Sequence, residues 1–225
     1  VVIHLMIAGR LRWRPEGAKR TARNAVALLD FDNGTVLFTE ASKKKRASLH
    51  VVRGREALWE FDRGGMDVFS ATPAAFADIL RAERHTLKRS LTDPRWFDGI
   101  GGAYSDEILH DAGLSPIKMS DTLTDAEIET LAASTVKILT KFTQAMRDEV
   151  GDGFPEKVTA FRPDMAVHGR FGKPCPVCET PVQRIVYAEN ETNYCPTCQT
   201  EGRLLADRAL SQLLKKDWPK TLTEL

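Results

Sequence analysis

A chain of 225 residues, 42% of them hydrophobic, suits one large domain or two small ones and can bury a core, which excludes wholesale disorder. Lys and Arg total 32 against 31 Asp and Glu, a formal net charge of +1, so a polyanion would have to be held by local basic patches and not by a global field. No apolar run reaches membrane-spanning length, and arginines follow the apolar start instead of preceding it; the expectation is a soluble, cytoplasmic protein, nucleoid-associated if bacterial, with no membrane partner.

The chain opens with VVIHLMIAGRLRW, which reads as a β-branched strand from the middle of a sheet, ended by Gly9. A core strand at residue 1 would lack its usual neighbours, so further residues are expected upstream. NAVALLDFD, TVLFTEA and SLHVVRG continue the strands to about residue 60, with Asp32-Asn33-Gly34 as a hairpin turn. Arg10, Arg12 and Arg14 alternate along one strand face. Lys43, Lys44, Lys45 and Arg46 run together, with Arg53 and Arg55 close behind. That run reads as a solvated loop, with a nuclear signal as the weaker alternative.

Helices take over after about residue 72. Thr72-Pro73 opens ATPAAFADILRAERHTLKRSL with proline in the first turn. WFDGIGGAYSDEIL, residues 96 to 109, runs a glycine-rich turn straight into a helix. Backbone N–H groups at a helix start attract an anion, and glycines let a phosphate approach the main chain. Lys88 stands upstream and could close on the same phosphate, although a tight helix–helix turn explains the glycines as well. In LTDAEIETLAASTVKILTKFTQAMRDEVG, Thr124 and Glu127 make a capping box, and Ile128, Leu131, Thr135, Ile138, Phe142 and Met146 form a core stripe up to Gly151. Residues from Gly151 to Gly172 read as a linker, and LLADRALSQLLKKD as a final helix before Trp218-Pro219.

All four cysteines fall in CPVCETPVQRIVYAENETNYCPTCQ. Each two-residue spacer lets both sulfurs of a pair reach one ion, so Cys175, Cys178, Cys195 and Cys198 form two knuckles, with VQRIVY and ETNY as a hairpin joined at AEN. Four thiolates close a zinc coordination sphere, which makes the expected zinc structural, with no position left for a catalytic water. A redox pair or two disulfides are the alternatives; a thioredoxin-like site would need a βαβ unit beside it, and none is near.

HLMIAGRL, LKRSLTDPRWFDGIGGAYSDEILHDAGLSP, VHGRFGKPCPVC and YCPTCQ occur in that order. Together they resemble the formamidopyrimidine-DNA glycosylase / endonuclease VIII family of base-excision repair enzymes, over nearly the whole chain apart from its C-terminal tail. The resemblance implies an α+β architecture: the remainder of an N-terminal β-sandwich (1–70), a helix–two-turn–helix domain (71–155), a linker with a zinc-ribbon β-hairpin (156–202), and a C-terminal helix and tail (203–225). It implies one zinc and a partner of double-stranded DNA carrying a damaged base or abasic site, gripped by its phosphates in a cleft around a flipped nucleotide. A monomer is expected. Lys88 matches the family's phosphate-binding lysine, Gly99 to Gly102 its phosphate-binding turn, and His4 and Gly9 its opening strand.

Several positions depart from the family pattern. Gly102 stands where asparagine is usual, so only the main chain can contact phosphate there. Ile7 stands where methionine usually fills the gap left by the flipped base. Glu40 to Lys45 replace the usual Asp-Pro-Arg-Arg-Phe loop. Asn190 replaces the hairpin arginine and can donate a hydrogen bond but brings no charge. With Arg84, the expected DNA contacts are Ile7, Arg84, Lys88, Gly99, Gly101, Gly102 and Asn190. The family's nucleophile is an N-terminal proline followed by glutamate. Pro15-Glu16 and Pro155-Glu156 have their nitrogens in peptide bonds, so no catalytic residue is assigned. The expectation is damaged-DNA binding in base-excision repair, the parent activity being removal of oxidised bases with strand nicking. The alternatives are a non-enzymatic zinc-containing DNA-binding protein and an RNA- or ribosome-binding protein.

Overall fold

The computed structural model describes residues 1–19, 23–157, 159–187, 190–206 and 208–224. They form two compact units, Val1–Asp62 with Ala145–Val158, and Arg63–Gln144 with Thr159–Leu225.

The first unit carries β1 (Val2–His4), β2 (Gly9–Arg14), β3 (Ala25–Phe31), β4 (Gly34–Glu40) and β5 (Ser48–His50). An antiparallel sheet runs in the order β2-β4-β3, and β1 pairs with β5 as a separate ribbon. β4 is central, so Leu37 and Phe38 are buried while the flanking strands are partly exposed. The opening stretch is not one core strand. β1 is half-buried, Val1 is exposed, and the chain turns over Leu5–Ala8, where Met6 takes a φ of +51°. That turn closes with Gly9 N donating to Leu5 O at 2.8 Å, too close an approach for any Cβ at position 9. Past β5 the strand reading also fails: VVRG is irregular and Glu56–Phe61 is a 3₁₀ helix.

The β3–β4 hairpin turns on Asp32 and Asn33, with Phe31 opposite Gly34. Gly34 is required by a packing contact: the Trp13 ring lies where its Cβ would be, 2.2 Å from Trp13 Cζ2. Trp13 in turn stacks on Phe31 and Phe154 at 6.3 and 6.2 Å. Gly34→Ala should displace the indole and destabilise this unit by about 1–3 kcal/mol, the usual cost of overpacking; a lowered urea midpoint and a changed near-UV circular dichroism spectrum would report it, and an unchanged spectrum would contradict it. On the outer edge, Glu156 accepts Trp13 N at 3.0 Å and Arg14 Nη1 at 2.6 Å, and pairs with Arg12 at 3.5 Å. The basic face legible in the sequence is therefore largely met by one carboxylate.

The second unit holds α1 (Pro73–Ala82), α2 (Leu87–Thr92), α3 (Gly102–Asp111) and most of α4 (Asp125–Val150). Thr72 Oγ1 caps α1 by accepting Ala75 N. The sequence suggested one helix from Pro73 to Leu91; it breaks at Glu83–Thr86 because Ser120 intervenes, donating Oγ to Glu83 O and N to His85 O, both at 2.8 Å. The capping box forms as read, with Thr124 N donating to Glu127 Oε2 at 2.9 Å and Glu127 N to Thr124 Oγ1 at 3.3 Å. Ile128, Leu131, Ile138 and Phe142 pack with Phe76, Leu80, Leu87, Leu91, Phe97 and Ile108 in a single core. Each fully buried Leu or Phe contributes roughly 1.5–3 kcal/mol.

The zinc-ribbon part adds β6 (Gln183–Tyr187), β7 (Asn190–Tyr194) and α5 (Pro196–Thr200). Ala188 and Glu189 of the expected turn lie outside the described residues, and Asn190 is the first residue of β7, opposite Tyr187. α6 (Arg208–Leu214) occupies the middle of the expected final helix, whose Asp207 is likewise outside the described residues. Among the described residues no helix is long and apolar enough to cross a membrane.

Candidate nucleic-acid interface and zinc site

The four cysteine sulfurs lie within 4.8 Å of one another. Cys175 Sγ is 3.9 Å from Cys198 Sγ, and Cys178 Sγ is 3.4 Å from both Cys195 and Cys198. Zinc–sulfur bonds of about 2.3 Å in a tetrahedron place sulfurs about 3.8 Å apart, so the donor set fits one zinc with four thiolates. Cys175 and Cys195 are buried beside Val167 and Val182. His110 Nε2 approaches Cys175 Sγ at 3.2 Å. Burial lowers the His110 pKa against the opposing charges of Glu107 and Asp111, which favours a neutral ring able to offer Nε2–H to the sulfur.

The glycine turn is anchored by Phe97 before it and Ile100 within it, both buried. Gly99 has φ +76°, a conformation that glycine adopts at little cost. Gly101 is the N-cap of α3 with no side-chain cap, and a Cβ at Gly99, Gly101 or Gly102 would meet open space. First-turn N–H groups of the helix therefore face an uncluttered surface, which suits an anion. Lys88 sits at this mouth, donating from Nζ to Gly102 O and to Asp106 Oδ1, both at 2.5 Å. Burial pushes the Lys88 pKa down, and the charge and hydrogen bond of Asp106 push it back up.

α3 ties this turn to the zinc module, through residues that sequence reasoning missed. Asp106 Oδ2 accepts His168 Nδ1 at 2.8 Å and Asn193 N at 3.2 Å. Glu107 accepts three backbone N–H groups, from Ala166 at 2.7 Å and from Val167 and His168 at 2.9 Å. Gln199 of α5 donates to Leu114 O at 2.8 Å, just past the end of α3. One signal was available: in YSDEILHDAG the acidic pair sits among Ile108 and Leu109 without an apolar stripe of its own. A helix charged on its buried side must find partners.

The structure brings Lys88, Gly101 and Gly102 together at one helix start, with Gly99 in the turn that leads there. Arg84 is exposed and pairs with Asp121 at 3.3 Å. Asn190 is exposed beside the hairpin turn. Ile7 belongs to the first unit, in the turn before β2, and is 81% exposed. Lys43 and Lys44 are exposed, while Lys45 donates to Glu40 O and Glu40 accepts Arg46 N, which orders part of the loop that departs from the family pattern.

Two family models match this chain: the formamidopyrimidine-DNA glycosylase H2TH domain over residues 67–151, and the zinc finger found in FPG and IleRS over residues 172–200. An uncharacterized formamidopyrimidine-DNA glycosylase-like protein of Mycobacterium tuberculosis is 38% identical over 151 residues, covering 67% of this chain and 94% of that protein. The formamidopyrimidine-DNA glycosylase of Chloroflexus aurantiacus is 32% identical over 205 residues, 88% of this chain and 72% of the relative. Among solved structures, a Lactococcus lactis FPG mutant complexed with Fapy-dG-containing DNA shares the fold with a TM-score of 0.73 at 22% identity, covering 88% of this chain and 74% of that one. A complex of the Lactococcus lactis protein with abasic-site DNA superimposes with the same TM-score at 23% identity.

Proposed function

This chain belongs to the formamidopyrimidine-DNA glycosylase family, and from that premise we propose that it binds double-stranded DNA at a damaged base or abasic site, as a monomer, in base-excision repair. The observation that carries the reading is the Lys88 ammonium held at the uncapped, glycine-lined start of α3. A lysine is a point charge suited to a phosphate oxygen, and helix N–H groups beside it complete an anion site without reading sequence. The zinc hairpin is braced against the same helix, so a second DNA-contacting element is held in fixed register with the first. The ligand class is that of the lactococcal complexes, whose DNA carries a Fapy-dG lesion or an abasic site.

Lys88→Ala tests it. Affinity for duplex DNA should fall by a similar factor on every sequence, and the slope of log K against log salt should flatten by about 0.9 for the one lost phosphate contact. The measurement is fluorescence anisotropy across a salt series on duplexes with and without an abasic-site analogue. An unchanged slope would remove Lys88 from the interface.

A further inference from the structure

Asp106 is a buried carboxylate placed behind a lysine that has to attract an anion, and its charge opposes that of the lysine. One oxygen takes Lys88 Nζ at 2.5 Å and the other takes His168 Nδ1 at 2.8 Å. An ammonium has three N–H groups. Two are spent on Gly102 O and Asp106, and 17% of the Lys88 side chain is exposed, so the third is directed by the first two. Lys88 and Asp106 together sum to zero formal charge. The charge presented to a phosphate at this mouth then depends on the remaining titratable member, His168.

We propose that Asp106 and His168 are positioning residues for Lys88, through which protonation of His168 tightens the grip on DNA phosphate. This rests on the reading of Lys88 as a phosphate ligand. A neutral His168 donates one ordinary hydrogen bond to Asp106 and leaves the carboxylate's charge directed at Lys88. An imidazolium at the same position shares that charge, so the trio carries +1 and Lys88 competes for phosphate with a weaker counterion beside it. Among the described residues, His168 meets Asp106, an aromatic ring and a second carboxylate. Phe161 packs on it at 5.0 Å, and Glu107 of α3 takes its backbone N–H. From β7, Asn193 is uncharged and holds Glu191 through its amide. Arg162 and Asp164, on the same connection, pair with each other.

The test is duplex binding by the full chain between pH 8 and pH 5.5, the range in which imidazole is the side chain that changes charge. The probe is a duplex with a tetrahydrofuran abasic-site analogue, at several salt concentrations. The protein as it stands should gain roughly fivefold in affinity at the lower pH, the upper end for a screened charge. His168→Gln keeps a donor to Asp106 but cannot titrate. It should bind within about twofold of the parent at pH 8 and show none of the gain attributable to this site, a conservative outcome for a buried hydrogen bond retained. His4, His50, His85 and His110 remain in both proteins and cancel in the comparison.

If His168→Gln keeps the parent's gain, the proposal fails. If it loses binding equally at all pH values while remaining folded by circular dichroism, His168 acts in some other way and the proposal fails too. Should the variant not fold, Asp106→Asn decides: it should already bind at pH 8 as tightly as the parent does at pH 5.5, and a weaker or equal affinity at pH 8 overturns the idea. Lys88→Ala separates the two readings. A weakened Lys88→Ala beside an unaltered pH gain in His168→Gln sinks only this inference, whereas undiminished binding by Lys88→Ala sinks the phosphate site itself.

Discussion

Cys195→Ser is expected to release the zinc and unfold the segment from Gly172 to Thr200. Its sulfur is buried, it opens α5, and its backbone N–H is held by Gln199 Oε1 at 2.8 Å, so a hydroxyl there loses a ligand at the most enclosed corner of the cluster. Structural zinc contributes on the order of 10 kcal/mol or more in isolated zinc modules, well beyond what the few apolar residues around the cysteines could replace. The helical core around Leu80, Leu131 and Phe142 does not depend on the metal and should remain. Metal analysis should give one zinc per chain for the parent and none for the variant, with new protease cleavage confined to the hairpin. A metal-free variant that still protects residues 172–200 from protease would refute the structural role. Removing zinc from the parent with a strong chelator should reproduce the variant.

Glu107→Leu should lower stability by roughly 3 kcal/mol, since one buried and two part-buried N–H groups lose their acceptor at about 1–3 kcal/mol each. The loss is larger than that of an average core substitution because leucine fills the space yet satisfies none of the three. Glu107→Gln should fall between, because its carboxamide keeps one acceptor oxygen. That oxygen can still take Val167 and His168, while the NH₂ meets the N–H of Ala166. Urea unfolding monitored by far-UV circular dichroism measures the series. Equal midpoints for all three proteins would show that the carboxylate does not hold the segment. DNA binding should fall with stability in Glu107→Leu, since Lys88 and the zinc module are fixed through the same helix.

The parts of the site that could be read in the sequence are those whose chemistry is local. The cysteine pairs announce themselves because one ion needs two ligands from each short loop. The glycine turn does so because Gly99 takes a φ of +76° and a helix follows at once, a pattern contained in a few residues. The capping box of Thr124 and Glu127 is likewise contained in four residues. The Asp106 and Glu107 ties were not legible, as their partners lie about sixty or more residues away and are mostly backbone groups with no identity of their own. The helix break at Glu83–Thr86 was missed for the same reason: Ser120, more than thirty residues on, causes it. The first nine residues misled through composition. Val, Ile and Leu favour a strand, but a two-stranded ribbon cannot bury both faces, and the close approach at Gly9 turns the chain before a strand of that length could form.

The Glu107 tie has a consequence for how such a chain can drift. The carboxylate recognises main-chain N–H groups, which every residue except proline supplies. Ala166 can therefore change freely as far as this bond is concerned, and no compensating change is demanded on α3. Across descendants, the pattern left behind would be an unvarying acid facing a variable segment, with proline as the one excluded residue. Methods that look for paired substitutions would find no trace of the contact that ties α3 to residues 166–168.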